Sequence, residues 1–294
     1  MIAQFPFLQA ITERDRRWSR IAAMALAAPI VFFMLSIVIA LTMALSADGD
    51  IFAVTADPKL QRSAIYVLQL GAGLGGLAFG IMLAAHYVFA RPLKSWLTAA
   101  PQFRWNLVLW GAALTVIGVG VVMTVDVVIL DGQFEYPIFD PTYAMSLKLA
   151  YVAAVVVGLF VAATAEEVVF RGYLLQQTAA LTKRTWLVIA INAAVFALFH
   201  LEFDPVALAA RALAGAAFAW AALRLGGLEF AIGAHVATNL MLALVQGPLL
   251  PEDPGVAGDV DDVLGEVGLA LYMIWAVEIT RRMPRLMGSI SSPA

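Results

Sequence analysis

Long apolar stretches alternate with short polar connections along most of this chain. A helix needs about 20 apolar residues to cross the hydrocarbon core of a bilayer. The stretches of suitable length and hydropathy predict helices at residues 21–47, 64–90, 106–130, 147–170, 185–202, 205–224, 228–249 and 263–280. The sequence therefore predicts an all-α, polytopic membrane bundle of about eight transmembrane helices.

The basic residues fall mainly in alternate connections. Four of them (Arg14, Arg16, Arg17 and Arg20) precede the first apolar stretch, and further Lys and Arg residues follow the second, fourth, sixth and eighth stretches. Short cytoplasmic loops collect Lys and Arg, so this alternation predicts that both termini are cytoplasmic. The first stretch is longer than the apolar segment of a cleaved signal peptide and is interpreted as a retained span.

Composition agrees with a protein embedded in lipid. Hydrophobic residues make up 62% of the chain and charged residues 13%, and the mean hydropathy is +0.88. The net charge of −3 and the lack of a long basic run argue against a nucleic-acid partner. The chain has no cysteine, which excludes disulfides, thiolate metal ligands and a cysteine nucleophile. Any catalysis must therefore use oxygen and nitrogen groups.

Three polar constellations interrupt the apolar stretches. They contain Glu166, Glu167 and Arg171, then Phe196 and His200, and finally His235 and Asn239. Ionisable groups are costly at membrane depth and usually mark a functional site there. For any one of these residues alone, hydrogen bonding between helices is the simpler interpretation. Their occurrence together favours an active site within the bilayer.

Helical spacing suggests a role for each side chain of the first constellation. Glu167 and Arg171 lie four residues apart in the order that favours an ion pair. Glu166 points about 100° away around the helix, so its carboxylate remains free to act as a general base. The two adjacent acids are therefore expected to have different functions.

The other two constellations supply imidazole and amide groups. His200 shares a helix face with Phe196, and His235 shares one with Asn239. Such groups orient a water molecule or donate hydrogen bonds to a developing oxyanion, as amide hydrolysis requires. Asn192 lies on roughly the same face as His200, where it either lines the cavity or bridges helices.

The three motifs, in this order, resemble the CAAX protease and bacteriocin-processing enzyme family of intramembrane endopeptidases, also called the CPBP or Abi family. That family is marked by Glu-Glu-x-x-x-Arg, Phe-x-x-x-His and His-x-x-x-Asn. The resemblance implies that Glu166 and His200 activate the attacking water and that His235 and Asn239 stabilise the oxyanion. It also implies supporting roles for Glu167, Arg171 and Phe196.

The resemblance divides the chain into three regions. Residues 146–250 form the predicted catalytic core, and residues 1–145 form an N-terminal membrane region of about three helices. Residues 251–294 supply the last helix and a cytoplasmic tail. The implied partners are membrane lipid and a peptide or membrane-associated protein substrate, prenylated in the eukaryotic members. A bacterial plasma membrane is the expected location, and the sequence does not indicate an oligomeric state.

Three alternatives remain open at the level of sequence. Glu166, His200 and His235 would together supply a His₂Glu zinc site, whereas a metal-free mechanism is preferred because Asn239 suits an oxyanion donor better than a ligand. Buried charges also line the pathways of transporters, although no inverted repeat is detectable here. A noncatalytic immunity or partner protein would use the same scaffold for binding.

Overall fold

The computed structural model describes residues 4–46, 58–130, 132–250 and 260–287. No β-strand forms within these ranges, and the predicted all-α bundle is confirmed. Parts of the loops predicted around 48–63 and 250–262 lie outside the described residues. The helices are α1 (Trp18–Ser46), α2 (Lys59–Phe89), α3 (Trp105–Ile129), α4 (Met145–Glu167), α5 (Leu175–Leu181), α6 (Thr185–Phe199), α7 (Pro205–Leu225), α8 (Glu229–Met241), α9 (Val260–Arg281) and α10 (Pro284–Met287).

Six helices in the described part of the chain are long and apolar enough to cross a membrane. They comprise much of α1 and α9, the whole of α2, α3 and α7, and the continuous run Met145–Leu181 that contains α4 and α5. Helix α6 is apolar but shorter, and it ends at Phe199, three residues before the predicted end at 202. The chain is an integral membrane protein, while the count of eight spans and the cytoplasmic termini stay predictions.

Two π-helical segments follow the helices that carry the first and third polar constellations. The first π segment, Val168–Leu174, continues α4 directly after Glu167 and leads into α5. The second π segment, Leu242–Gln246, continues α8 three residues after Asn239. Short π segments within α-helices occur frequently at functional sites, because they redirect the side chains on either side of them.

Close helix packing brings α2 against α4. A Cβ atom added to Gly71 would lie 2.6 Å from the Gly158 carbonyl oxygen, and one added to Gly158 would lie 2.6 Å from the Val67 carbonyl oxygen. Such approaches require a residue without a side chain on at least one of the two helices. Glycine in the second apolar stretch therefore serves packing within the bundle.

Helix α8 packs against both α3 and α4. Gly233 of α8 lies against the Val108 carbonyl, and Gly111 of α3 lies against the Phe230 carbonyl, so the two backbones are in direct contact. This packing holds α8 deep inside the protein, where residues 229–237 are buried. The His235 side chain is therefore presented to the interior rather than to lipid.

A buried ion pair fixes the N-terminal end of α8. The Arg104 guanidinium donates from Nε to Glu229 Oε1 at 3.0 Å and from Nη2 to Glu229 Oε2 at 2.8 Å. The Arg104 backbone amide donates to Oε1 as well, at 3.3 Å. The Glu229 carboxylate is fully buried, and both of its oxygens accept hydrogen bonds.

A second buried ion pair attaches the N-terminal segment to α5. Arg91 donates to Asp15 at 2.8 Å and to Gln176 at 2.6 Å, while its guanidinium stacks 3.8 Å from the centre of the Trp96 ring. Burial lowers the pKa of Arg91, and the ion pair with Asp15 offsets part of that shift. The pair fixes the α5 end of the long helical run that carries the first constellation.

Candidate active site

Glu167 and Arg171 form the predicted ion pair at the centre of the bundle. Both side chains are fully buried, and Arg171 Nη1 donates to Glu167 Oε1 at 2.9 Å. Arg171 Nη2 donates to the Gly215 carbonyl of α7 at 3.2 Å. The guanidinium also lies 4.1 Å from the centre of the Phe196 ring, a favourable cation–π distance. Arg171 thus connects α4, α6 and α7 around one buried charge.

His235 lies between the two adjacent acids. Its Nδ1 atom is 2.9 Å from Glu167 Oε1, and its Nε2 atom is 3.9 Å from Glu166 Oε2. A carboxylate only accepts hydrogen bonds, so Nδ1 carries the proton and donates it to Glu167. This contact fixes the orientation of the ring and directs Nε2 towards Glu166.

Aromatic rings enclose the His235 imidazole on two sides. The Phe218 ring stacks on it with a centroid separation of 5.1 Å and an interplanar angle of 22°. The edge of the Phe196 ring approaches it at 6.0 Å. Because Arg171 also lies against these two phenyl rings, the cation and the imidazole share an apolar enclosure.

His200 occupies the position directly after α6. Its Nδ1 atom donates to the Phe196 carbonyl at 2.9 Å, and the rings of the two residues lie 4.9 Å apart. The predicted helix extends past His200, but Leu201 adopts a φ of 56° and ends it. The His200 and His235 rings lie 4.9 and 6.0 Å from the Phe196 ring, and His235 lies 3.9 Å from Glu166. The structure therefore brings the three side chains into one region.

Asn239 lies one helical turn beyond His235 on the same face of α8. It is half-buried, whereas His235 is buried. The second π segment begins at Leu242, so Asn239 is near the end of the regular part of the helix. This position extends the polar face of α8 away from Glu167.

Two buried carboxylate oxygens have no hydrogen-bond partner within the described part of the chain. They are Glu166 Oε2, which faces His235 Nε2, and Glu167 Oε2. A small apolar cavity of about 10 Å³ lies beside Glu166, lined also by Leu77 and Phe199. That volume is close to the minimum needed for one water molecule. Unpaired buried acceptors of this kind are unusual in a stable core and are consistent with a reactive site.

The three candidate zinc ligands lie in one region but do not converge on a point. Catalytic zinc takes three protein ligands converging at about 2.0–2.2 Å. Within residues 4–46, 58–130, 132–250 and 260–287, no group of three or more His, Asp or Glu side chains has such an arrangement. Glu166, His200 and His235 therefore do not have zinc-site geometry in this conformation, and both the zinc-dependent and the metal-free mechanism stay predictions.

Three further residues contribute to the site without belonging to a motif. Gly215 accepts from Arg171, Phe218 stacks on His235, and Asn192 donates to a carbonyl of the first π segment. Gly215 and Phe218 lie in an Ala-rich helix whose sequence resembles any packed span, so the sequence does not mark them as site residues. Helical spacing places Asn192 on the His200 face, but its contact depends on a π segment that the apolar pattern does not reveal.

Comparisons with known proteins support the resemblance over the core of the chain. Residues 148–241 match the family described as type II CAAX prenyl endopeptidase Rce1-like. The "Uncharacterized protein YyaK" of Bacillus subtilis (strain 168) is 26% identical over 199 residues, which cover 65% of this chain and 63% of that protein. The chain thus spans less than two thirds of this relative's length. No solved structure matches the chain. The matched region contains all seven motif residues, and the family that it matches is the CAAX protease and bacteriocin-processing enzyme family.

Proposed function

We propose that this protein is an intramembrane endopeptidase that cleaves a peptide or membrane-associated protein with a water molecule activated by Glu166. The observation that carries the proposal is the separation of 3.9 Å between Glu166 Oε2 and His235 Nε2, where Glu166 Oε2 is buried and accepts no hydrogen bond from the described residues. Glu166 Oε2 and His235 Nε2 are able to accept one hydrogen bond each from the same water molecule. A lone pair of the water oxygen then points away from these two atoms.

Glu167 and Arg171 prepare His235 for this role. The bond from His235 Nδ1 to Glu167 leaves Nε2 as an acceptor, and Arg171 neutralises the Glu167 charge. His235 is therefore assigned to the water together with Glu166, whereas the motif resemblance assigns it to the oxyanion. The Asn239 amide, on the same helix face, is assigned to the oxyanion.

The reaction then follows from these positions. Glu166 takes a proton from water while the oxygen attacks the carbonyl carbon of the scissile bond. The carbonyl oxygen becomes an oxyanion and accepts a hydrogen bond from Asn239. When the C–N bond breaks, protonated Glu166 returns the proton to the leaving amine, which closes the proton balance. His200 lies at the edge of this region, where it contributes to orienting the water or the substrate.

Apolar side chains surround Glu166 on one side. The cavity beside Glu166 is lined by Leu74, Leu77, Phe170 and Phe199, from three different helical elements. An apolar segment of a membrane-associated substrate is compatible with such a lining, whereas a highly charged peptide is not.

The proposed location is a bacterial plasma membrane.

Comparative peptide proteomics tests the proposal and identifies the substrate in the same experiment. Membrane and secreted peptides are compared between cells that produce the wild-type protein and cells that produce Glu166→Gln. Glu13→Gln serves as a control, since the Glu13 side chain is 80% exposed and far along the chain from the site. New peptide ends that require Glu166 but not Glu13 support the proposal. Identical peptides in all three cell lines would favour a transporter or a noncatalytic partner protein.

A further inference from the structure

We infer that Asn192 is a positioning residue of this site. Its side-chain amide holds the first π segment in its register. Glu166 and Glu167 directly precede this segment, and Arg171 lies within it. No motif contains Asn192, and its contact is made to the backbone rather than to another site residue.

The contact is made at the Phe170 carbonyl, between the two halves of the first constellation. This oxygen accepts the Leu175 amide, as the wider hydrogen-bonding pattern of a π-helix requires. It also accepts Asn192 Nδ2 at 2.7 Å. Asn192 is fully buried, so water does not compete for the bond. The carbonyl at the centre of the π segment is thus bonded both along its own helix and from α6.

The register of this segment determines how the site is assembled. A π turn contains one residue more than an α turn, so rewinding it to α would rotate later residues by about 100° relative to earlier ones. Glu167 precedes the segment and Arg171 lies inside it. Because Gln176 in α5 is anchored to Arg91 beyond the segment, rewinding would turn Glu167 relative to α5 and displace it from His235. A donor fixed at Phe170 opposes that change.

Asn192 also fixes the position of α6 along the axis of α4. It precedes Phe196 by one helical turn and His200 by two, on one face of α6. The single bond to Phe170 therefore aligns the helix that carries these two residues with the helix that carries Glu166. Close packing supports the same alignment, since the Phe170 and Phe196 rings lie 5.2 Å apart.

A packing role alone does not account for an asparagine here. The Asn192 Oδ1 atom is buried without a hydrogen-bond partner among the described residues. A buried unpaired acceptor is unfavourable, and an apolar residue of similar size would avoid that penalty. Of the two polar groups of asparagine, only the Nδ2 donor makes a hydrogen bond here, and it makes that bond to the π segment.

The test uses imidazole NMR, because the chain has only three histidines. The full chain in detergent is labelled with ¹⁵N-histidine, and the His235 signal is assigned with variants of His86 and His200. In the wild type we expect a His235 Nδ1–H resonance protected by its bond to Glu167. In Asn192→Leu and Asn192→Ser we expect that proton to exchange faster, on the order of tenfold.

Tyr272→Phe provides the matched control. It removes another bond from a side chain to a backbone carbonyl between helices, from Tyr272 to Leu114 at 2.9 Å, away from the site. This variant should keep wild-type exchange at His235. Unchanged His235 exchange in a folded Asn192 variant would overturn the inference. If Asn192→Leu does not fold, the exchange measured in Asn192→Ser decides the test.

A catalytic consequence of the Asn192 contact depends on the proposed function, whereas the NMR comparison does not. With a substrate identified by proteomics, Asn192→Ser should lower kcat more than it changes KM, because it displaces groups that act in the transition state. A wild-type protein that cleaves nothing would overturn the proposed function. Faster His235 exchange in that same case would still support the role of Asn192.

Discussion

Two sets of buried carboxylates in this protein differ in how many of their oxygen atoms accept hydrogen bonds. Both Glu229 oxygens accept hydrogen bonds from Arg104, which closes the pair at the start of α8. Glu166 and Glu167, at the centre of the bundle, each keep an Oε2 atom without a partner among the described residues. These oxygens are buried in both sets, so burial does not distinguish them.

The difference indicates which charges maintain the fold and which are available for chemistry. A buried ion pair whose acceptors are all hydrogen-bonded is expected to be chemically inert. Removing one partner leaves the other as an uncompensated buried charge, which destabilises the fold. A carboxylate with an unpaired oxygen beside an imidazole is poised to accept a proton. We therefore expect substitutions of Glu229 to affect folding and substitutions of Glu166 to affect activity.

The largest effect is expected for Glu166→Gln. Removal of the general base should reduce the rate of cleavage by about 10³-fold, within the usual contribution of such a group. Thermal unfolding should change little, because the glutamine has nearly the same shape and Glu166 Oε2 accepts no hydrogen bond from the described residues. Cleavage assays on a peptide identified by proteomics provide the measurement. Retained cleavage would show that Glu166 is not the base.

The next largest effect is expected for Glu229→Gln. The substitution leaves the Arg104 guanidinium buried without its counter-charge, which should lower the free energy of unfolding by about 3–5 kcal/mol. The double variant Arg104→Met with Glu229→Leu should be less destabilised than Glu229→Gln. Denaturant or thermal unfolding in detergent measures both. Equal stability of Glu229→Gln and wild type would remove the contrast between the two sets of acids.

A smaller effect on both properties is expected for Arg171→Lys. Lysine keeps the charge but cannot bond Glu167 and the Gly215 carbonyl with the fixed fork of a guanidinium. Loss of one buried hydrogen bond should cost about 1–3 kcal/mol of stability and reduce activity through displacement of His235. Arg281→Lys is the control, since its ion pair with Glu278 is at the surface and should contribute little. Identical behaviour of the two variants would argue against the role of Arg171.

The smallest effect is expected from chelation. On the metal-free mechanism, a zinc chelator should leave cleavage by the purified protein unchanged, because side chains such as Glu166 and His235 hold the attacking water without a metal. Cleavage of the identified peptide before and after chelation provides the measurement. Activity that is lost on chelation and restored only by added zinc would replace the proposed mechanism with a metal-dependent one.

Much of the helical architecture could be predicted because membrane spans have a strong signal. Apolar stretches located the long helices, and the spacing of Glu167 and Arg171 gave their ion pair correctly. The end of α6 was wrong by three residues, since apolar composition does not encode the positive φ of Leu201. The π segments were not predicted, because they depend on tertiary hydrogen bonds such as that of Asn192. For the same reason, the sequence did not reveal that His235 lies between both acids.

The most direct test of the central claim is the cleavage of one identified peptide by the purified full chain in water enriched with ¹⁸O. The wild-type protein should release a product whose new carboxylate contains ¹⁸O, and Glu166→Gln with unaltered His235 NMR signals should release about 10³-fold less. Equal amounts of labelled product from both proteins would contradict the account.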